Sequence, residues 1–363
     1  MSARAVAAVN LAAVERNCAR LRAASPRLCA VVKADAYGHG AVPCSRALLR
    51  AGAEMLAVAT ADEALELRAA GIDARLLVLG PLTGDELERA LAVGCEIVAW
   101  TDEILDAAAR LGGAAVHVKL DTGMGRFGTR EALLADRLAD RAASTPGLAL
   151  AGAMTHFATA DEPDRDFFEQ QLARFSSWVA PLRERHPGVL VHGENSAALL
   201  AAGRVRFDMA RCGVALYGLD PFGEDPAARG LDPALELRSW VAAVKPCDAG
   251  ESAGYGRRFV ATGATELAMV PLGYGDGWRR AFSNNAEVLV EGVRRPLVGT
   301  VSMDSFAADL GPASGVPVGA EVVVIGARGG ERVGAEELAR RAGTINYEIT
   351  CGLTARLPRS YHR

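Results

Sequence analysis

Lysine is almost missing from this sequence. Of its 40 basic residues only Lys33, Lys119 and Lys245 are lysine; all the others are arginine. A genomic drift toward Arg and Ala is the plain reading of that bias. Yet arginine then serves wherever a generic cation suffices. The three lysines become candidates for work a guanidinium does not do, such as amine nucleophilicity and proton transfer. Long apolar runs are missing too. None approaches the ~20 residues of a membrane span. The first ten residues hold one arginine and a short apolar run, too little for the core of a secretion signal. Cys18, Cys29, Cys44, Cys95, Cys212, Cys247 and Cys351 are odd in number, scattered and without a C-x-x-C pair. That argues against a disulfide framework and a zinc site, and fits free thiols in a reducing cytoplasm. The six histidines form no H-E-x-x-H or comparable cluster, so no metal site is expected. A formal charge of −4 gives no bulk electrostatic case for a nucleic-acid or membrane partner.

What is present is an ordinary globular composition, 50% hydrophobic and 23% charged over 363 residues. That length suits two domains, or one large domain with an addition. Short apolar runs at Leu28–Val32, Met55–Val58, Leu76–Leu79, Glu96–Ala99, Val116–Leu120, Leu148–Ala153, Leu190–His192 and Val205–Met209 read as strands. Between them lie segments of helical period: Ala61–Ala70, Asp85–Val93, Asp102–Leu111, Glu131–Ala143 and Arg165–Arg185. Pro81 with Gly84 and Asp85 marks a turn before a helix, and Thr101 reads as an N-cap. Repeated strand–helix units imply a parallel sheet, and about eight of them favour a closed (β/α)8 barrel over 10–222. Residues 220–233, rich in Asp, Pro and Gly, read as a linker. Beyond it, Leu235–Val244, Glu266–Val270, Glu287–Val290, Val298–Val301 and Glu321–Ile325 predict a mostly-β domain over 233–363. The opening segment, Arg4 to Val9, is expected to join that domain. Asn10 would then cap a helix from Leu11 to Ala23.

Lys33 sits where the first apolar strand runs out. In a barrel that is the catalytic mouth. A half-desolvated ammonium there is prepared for imine chemistry or base catalysis. Tyr37, four residues on, could reach the same pocket. On position alone, a surface lysine at a strand end is an equal reading. The local string V-V-K-A-D-A-Y-G-H-G (31–40) decides between them, because it closely resembles the pyridoxal-phosphate attachment motif of alanine racemases. The resemblance continues in order through V-K-L-D-T-G-M-G-R-F-G (118–128), T-H-F-A-T-A-D-E (155–162), H-G-E-N-S-A-A (192–198) and D-M-A-R-C-G-V-A-L-Y-G (208–218). In the β part it runs through S-A-G-Y-G-R-R-F (252–259), P-L-G-Y-G-D-G-W (271–278), V-G-T-V-S-M-D (298–304) and T-I-N-Y-E (344–348). The family's architecture, a barrel followed by a β-domain, matches the organisation read above.

The resemblance implies a role for each residue. Lys33 would bind pyridoxal 5'-phosphate as an imine and serve as the acid–base toward D-alanine. Tyr255 would be the opposite acid–base, toward L-alanine. A free tyrosine ionises near pH ~10, so it needs positive charge or hydrogen bonding nearby; His156 and Arg211 would supply these. Arg211 would face the pyridine nitrogen, where a fixed cation disfavours ring protonation and so limits side reactions such as transamination. Asn195, Ser196, Gly213, Val214, Tyr37 and Tyr347 would hold the phosphate. Arg126 would meet the cofactor's phenolic oxygen and the substrate carboxylate. Lys119 would be carbamylated, becoming an anion that holds Arg126. Met303 and Asp304 would come from a second subunit, and Tyr274 would narrow access and favour alanine over larger amino acids. A cytoplasmic head-to-tail homodimer with shared active sites follows from the family. The sequence departs from many relatives in placing Glu194 before Asn195.

Other readings remain at this stage. A broader or serine-preferring racemase would carry the same catalytic set. A related amino-acid decarboxylase typically has a Cys-centred acidic motif late in the chain, whereas Cys351 is followed by Gly-Leu-Thr-Ala; the glycine-rich phosphate loop of those enzymes is missing as well. A non-catalytic pyridoxal-phosphate carrier would resemble the barrel alone.

Overall fold

The computed structural model describes residues 3–363. They divide into two units, the segment up to Ala13 with Gly223–Arg363, and Val14–Phe222. The second unit is an α/β barrel of the TIM type. Its strands are β2 (Leu28–Val31), β3 (Met55–Val58), β4 (Arg75–Val78), β5 (Glu96–Ala99), β6 (Ala114–Lys119), β7 (Leu148–Met154), β8 (Leu190–His192) and β9 (Ala210–Cys212). All are parallel, in the order β8-β7-β6-β5-β4-β3-β2-β9. Between the end strands, Asp208 N donates to Val191 O and Arg211 N to Glu194 O, each at 2.9 Å, so the ring is nearly closed.

Period-two alternation assigns the strand side chains to two layers. Ile97, Ala99, Val116, Val118, Ala153 and Val191 pack with helix residues such as Leu105, Leu138, Phe175 and Trp178. The intervening residues, among them Cys29, Met55, Leu77, Val98, Met154 and Leu190, form the barrel's own interior. Helix starts are fixed locally. Thr60 and Glu63 form a capping box ahead of Ala61–Ala69, and Thr83 and Glu86 another ahead of Gly84–Ala92. Thr101, expected to cap Asp102–Arg110, makes no side-chain cap bond. The strand expected at Val205–Met209 is instead an irregular approach to β9. Asp208 Oδ2 accepts from Val191 N at 2.7 Å while Arg183 holds Oδ1 at 2.6 Å, which ties that stretch to β8 by a side chain rather than a ladder.

The other unit is built on a ten-stranded sheet, largely antiparallel. Its β1 (Val6–Asn10) lies between β10 (Leu235–Trp240), paired antiparallel, and β20 (Arg359–His362), paired parallel. Asn10 Oδ1 accepts from Ala13 N at 3.1 Å, the expected cap of helix Leu11–Ala24. The run Leu235–Val244 breaks into β10 and β11 (Ala243–Cys247). The run Val298–Val301 is the end of β16 (Val293–Val298) and the turn beyond it. Strand β17 (Phe306–Gly311) and helices Ala335–Ala342 and Asn346–Cys351 were not anticipated.

One local feature could not be read from residue types. Directly after Lys33, Ala34, Asp35, Ala36 and Tyr37 all take left-handed backbone angles, with φ from 52° to 55°. For L-residues this costs ~1–2 kcal/mol each, and none of the four is glycine. The surroundings over-determine the turn. Glu63 Oε1 accepts from Ala34 N at 2.6 Å, Asp35 Oδ1 accepts from Ala41 N at 2.7 Å, and Ala36 N donates to Val32 O at 2.8 Å. Strain is thus stored beside the rare lysine. Ala34→Gly removes a Cβ from a left-handed site and should leave stability unchanged or raise it by about 1 kcal/mol. Ala173→Gly, at an exposed position inside helix Asp166–Arg185, should cost about 1 kcal/mol. Denaturant unfolding of the two variants compares them; equal losses would remove the strain argument.

Candidate active site

The barrel's C-terminal mouth gathers the predicted groups of this unit. Lys33 follows β2 and is half-buried. Lys119 ends β6 and is 4% exposed. Burial, then the charges of Arg211 and Arg126, push its ammonium down to about 8. The loop after β6 is organised by buried Asp121, whose carboxylate accepts from Gly123 N at 3.0 Å and Gly125 N at 3.1 Å and pairs with Arg130 at 3.3 Å. Arg126 stands exposed on that loop.

Arg211, on β9, is buried. Its Nη1 donates to His192 Nδ1 and to His192 O, both at 2.8 Å. Its Nη2 donates to Thr155 O at 2.7 Å and lies 3.3 Å from His156 Nδ1 and from Gly193 O. Every one of these partners is uncharged in its neutral form, and none is a carboxylate. Burial lowers the guanidinium to about 10, still charged at neutral pH. Burial, reinforced by Arg211, holds His156 and His192 well below the usual imidazole range, so both are neutral acceptors toward it. His156 and Arg211 are therefore brought together as expected. His192, quoted within a motif but given no role, was missed.

Beside Arg211 lies a small cradle. Asn195 caps helix Ser196–Ala202 through Oδ1, accepting from Ala198 N at 2.9 Å. Ser196 Oγ accepts from Gly213 N at 3.0 Å, and Val214 opens the 3-10 turn that follows. A Cβ on Gly213 would fall 2.2 Å from the Tyr37 hydroxyl, so only glycine lets that phenol close over the backbone. A hydroxyl, backbone amides and a phenol converging without a lysine or arginine are a donor set suited to a phosphate. Glu194 is not part of it. It is fully buried, its Oε1 accepts from Arg206 N at 2.7 Å, and burial pushes its carboxyl up toward the neutral form. Glu194 is thus a brace for the approach to β9.

The other unit carries the remaining residues. Tyr255, 74% exposed, opens a 3-10 turn, and its carbonyl accepts from Thr300 Oγ1 at 2.7 Å. Tyr274 and Met303 are exposed on adjoining loops: Tyr274 N donates to Ser302 O at 3.1 Å and Gly275 N to Met303 O at 2.9 Å. Beneath them Asp276, nearly buried, pairs with Arg4 and Arg356, each at 3.2 Å. Arg356 reaches on to Asp304 at 2.7 Å, and Arg4 Nη2 donates to the Asp304 carbonyl at 2.8 Å. The Asp304 carboxylate is therefore held by its own unit. Nothing in the sequence marked Arg4, Asp276 and Arg356 as one cluster. Tyr347 lies half-buried in helix Asn346–Cys351. Lys245 is exposed on β11, as expected of a lysine without assigned chemistry. Six cysteines are buried as free thiols, and Cys351 is exposed.

Comparison with known proteins gives a single result. The family model described as alanine racemase, N-terminal domain, matches residues 9–221, and that for the C-terminal domain matches 234–361. The alanine racemase of Symbiobacterium thermophilum is 41% identical, covering 98% of this chain and 96% of its own length. That of Frankia casuarinae is 42% identical, covering 99% and 96%. Among solved structures, alanine racemase from E. faecalis superposes with a TM-score of 0.93 at 36% identity, covering 99% of this chain and 98% of that one. The Bacillus anthracis enzyme with bound L-Ala-P gives 0.90 at 37%, covering 100% and 96%. With both models matched in order and full-length relatives near 40% identity, the chain belongs to the alanine racemase family.

Proposed function

We propose that this protein is a pyridoxal-phosphate-dependent isomerase of the cytoplasm that interconverts L- and D-alanine, supplying D-alanine for bacterial cell-wall precursors. The observation that carries the reading is the buried, charged Arg211 at a barrel mouth shared with Lys33 and Lys119, beside a glycine-lined phosphate cradle. Lys33 would hold the cofactor covalently. Ser196, the Gly213–Val214 backbone and the Tyr37 hydroxyl would seat its phosphate with Asn195 fixing the helix start, and Tyr347 would add a second phenol. Bound pyridoxal phosphate supplies the electron sink that makes the substrate's α-proton removable.

The chain's own groups then do the rest. Tyr255 takes the α-proton of L-alanine, and Lys33 Nζ returns a proton to the opposite face; D-alanine runs the sequence in reverse. Neutral His156, in contact with Arg211, accepts a hydrogen bond and orders the polar chain beside the reacting carbon. Arg126 binds the substrate carboxylate. Exposed Tyr255 and Met303, with Asp304 pinned beside them, suit contribution to a second copy of the chain, which supports a head-to-tail homodimer. Tyr274 would limit the room for larger side chains.

Loaded protein should show the absorbance of lysine-bound cofactor and racemise L-alanine in a D-amino-acid oxidase assay. Lys33→Ala should lose both. Tyr255→Phe should keep the absorbance and lose ~10²–10⁴ in rate. Mixing the two inactive variants under exchange conditions should restore activity, since one mixed-dimer site is then intact. A full rate in either variant would overturn the assignment, and mixtures that stay inactive while exchanging subunits would overturn the shared site.

Lys119 is proposed to be carbamylated. Its neutral amine attacks carbon dioxide, forming an N–C bond and releasing a proton, and leaves an anion to hold Arg126. With the ammonium at about 8, the reactive fraction rises as pH climbs through that value. Protein in ¹³C-bicarbonate should show a carbamate carbonyl resonance that grows from pH ~7 to ~8.5 and is absent in Lys119→Ala. No Lys119-dependent resonance at the upper pH would reject the modification.

A further inference from the structure

The apolar barrel interior is crossed by one continuous column of polar side chains. Arg75, first residue of β4, grips both oxygens of Glu96, first residue of β5, at 2.6 and 2.9 Å. Glu96 Oε2 lies 2.7 Å from His117 Nε2 on β6. His117 Nδ1 lies 2.8 Å from His192 Nε2 on β8, and His192 Nδ1 lies 2.8 Å from Arg211 Nη1 on β9. Both imidazoles are fully buried, whereas the Arg75 side chain is 41% exposed. Strand β7 stands between the two histidines, and there the chain has Gly152. A Cβ at that position would fall 2.1 Å from His117 Nδ1, so glycine is what lets one ring reach the other across the strand.

The chemistry of the ends fixes every proton between them. An ionised carboxylate only accepts and a guanidinium only donates. Glu96 must therefore receive His117 Nε2–H, and Arg211 must donate to His192 Nδ1. His117 Nδ1 is left as an acceptor and His192 Nε2–H as its donor. The three bonds between Arg211 and Glu96 are made in one sense, from Arg211 toward Glu96, with both rings neutral. Burial presses both imidazoles toward that neutral state. Although burial also opposes ionisation of Glu96, the bonds from His117 and Arg75 outweigh it and hold the carboxyl at about 2. Reversing either ring would set two N–H groups, or two lone pairs, face to face.

We propose that Arg75 and Glu96 act through His117 and His192 as a positioning relay that sets the tautomer of His192, and thereby the orientation of Arg211 at the cofactor's ring. All four are positioning residues, because the column reaches the site through Arg211. The proposal rests on the reading that Arg211 faces the pyridine nitrogen. Glu96 is the one carboxylate that the column joins to this arginine, whose other partners are carbonyls and His156. Glu96→Gln removes the charge at constant shape. Its amide can present either oxygen or N–H to His117, so the tautomers below it are no longer dictated.

The test uses protein labelled with ¹⁵N-histidine, with and without cofactor. Only six histidines contribute signals. Wild type should show His117 and His192 as neutral Nε2–H tautomers in both forms. Glu96→Gln should shift or split the His192 signals. In the loaded enzyme it should also lower, by about tenfold, the number of racemisations per conversion of alanine to pyruvate, in which the amino group stays on the cofactor. Arg75→Met should produce a smaller change of the same kind, and Arg75→Lys should restore the wild-type tautomer. Ile97→Val, a packing loss beside Glu96, should lower stability and leave the tautomers alone. The relay is overturned if either ring in wild type is an Nδ1–H tautomer or charged, or if Glu96→Gln, still folded, leaves the His192 signals and the partition unchanged. Because the apoprotein spectrum needs no catalysis, an inactive protein with the expected tautomers would count against the racemase reading and not against the relay.

Discussion

A guanidinium buried without a carboxylate in contact is the constraint around which the barrel mouth is arranged. Moving such a charge out of water costs several kcal/mol unless hydrogen bonds replace the lost hydration. Arg211 receives that replacement from carbonyls of Thr155, His192 and Gly193 and from two imidazoles kept neutral by the same burial. The charge in turn helps hold Lys119 down to about 8 and His156 below its usual range. On the proposed reading, in which Arg211 faces the pyridine nitrogen of a bound cofactor, a carboxylate there would satisfy a protonated ring, whereas an arginine would oppose protonation. The difference bears on which reactions a bound cofactor supports, so the electrostatics of one side chain link the packing of the barrel to its chemistry.

The scarcity of lysine takes on a sharper meaning against that arrangement. Two of the three lysines stand at the C-terminal ends of barrel strands, and Lys119 lies in Arg211's field, where its amine has a lowered proton affinity and a guanidinium would stay charged. The third is exposed on a strand of the other unit. Next to Lys33, four non-glycine residues are held in left-handed geometry by Glu63, Asp35 and backbone bonds. The lysine is thereby presented from a rigid, strained turn rather than a mobile loop.

Much of this was legible in the sequence. The alternation of apolar runs with helical periods carries the barrel, because burial on both faces of a parallel sheet leaves near-continuous hydrophobic strands. Ordered motifs carry the positions of Lys33, His156, Arg211 and Gly213. What stayed hidden depends on register and not on residue type. Ala34–Tyr37 hold no glycine to signal positive φ. Glu96, His117 and His192 lie far apart in sequence and meet only because alternate positions of β5, β6 and β8 face one interior, with Gly152 leaving the gap. The strand expected at Val205–Met209 failed for a related reason: Asp208 offers β8 a side-chain bond where a ladder was assumed. The cluster of Arg4, Asp276 and Arg356 is assembled from three distant segments and has no local signature.

The central claim is that Arg211 stays charged and keeps the cofactor's ring nitrogen unprotonated. Its most direct test is the ¹⁵N resonance of that nitrogen in protein loaded with ring-labelled pyridoxal phosphate. The account predicts the resonance of an unprotonated pyridine accepting a hydrogen bond. A pyridinium resonance at neutral pH would contradict it.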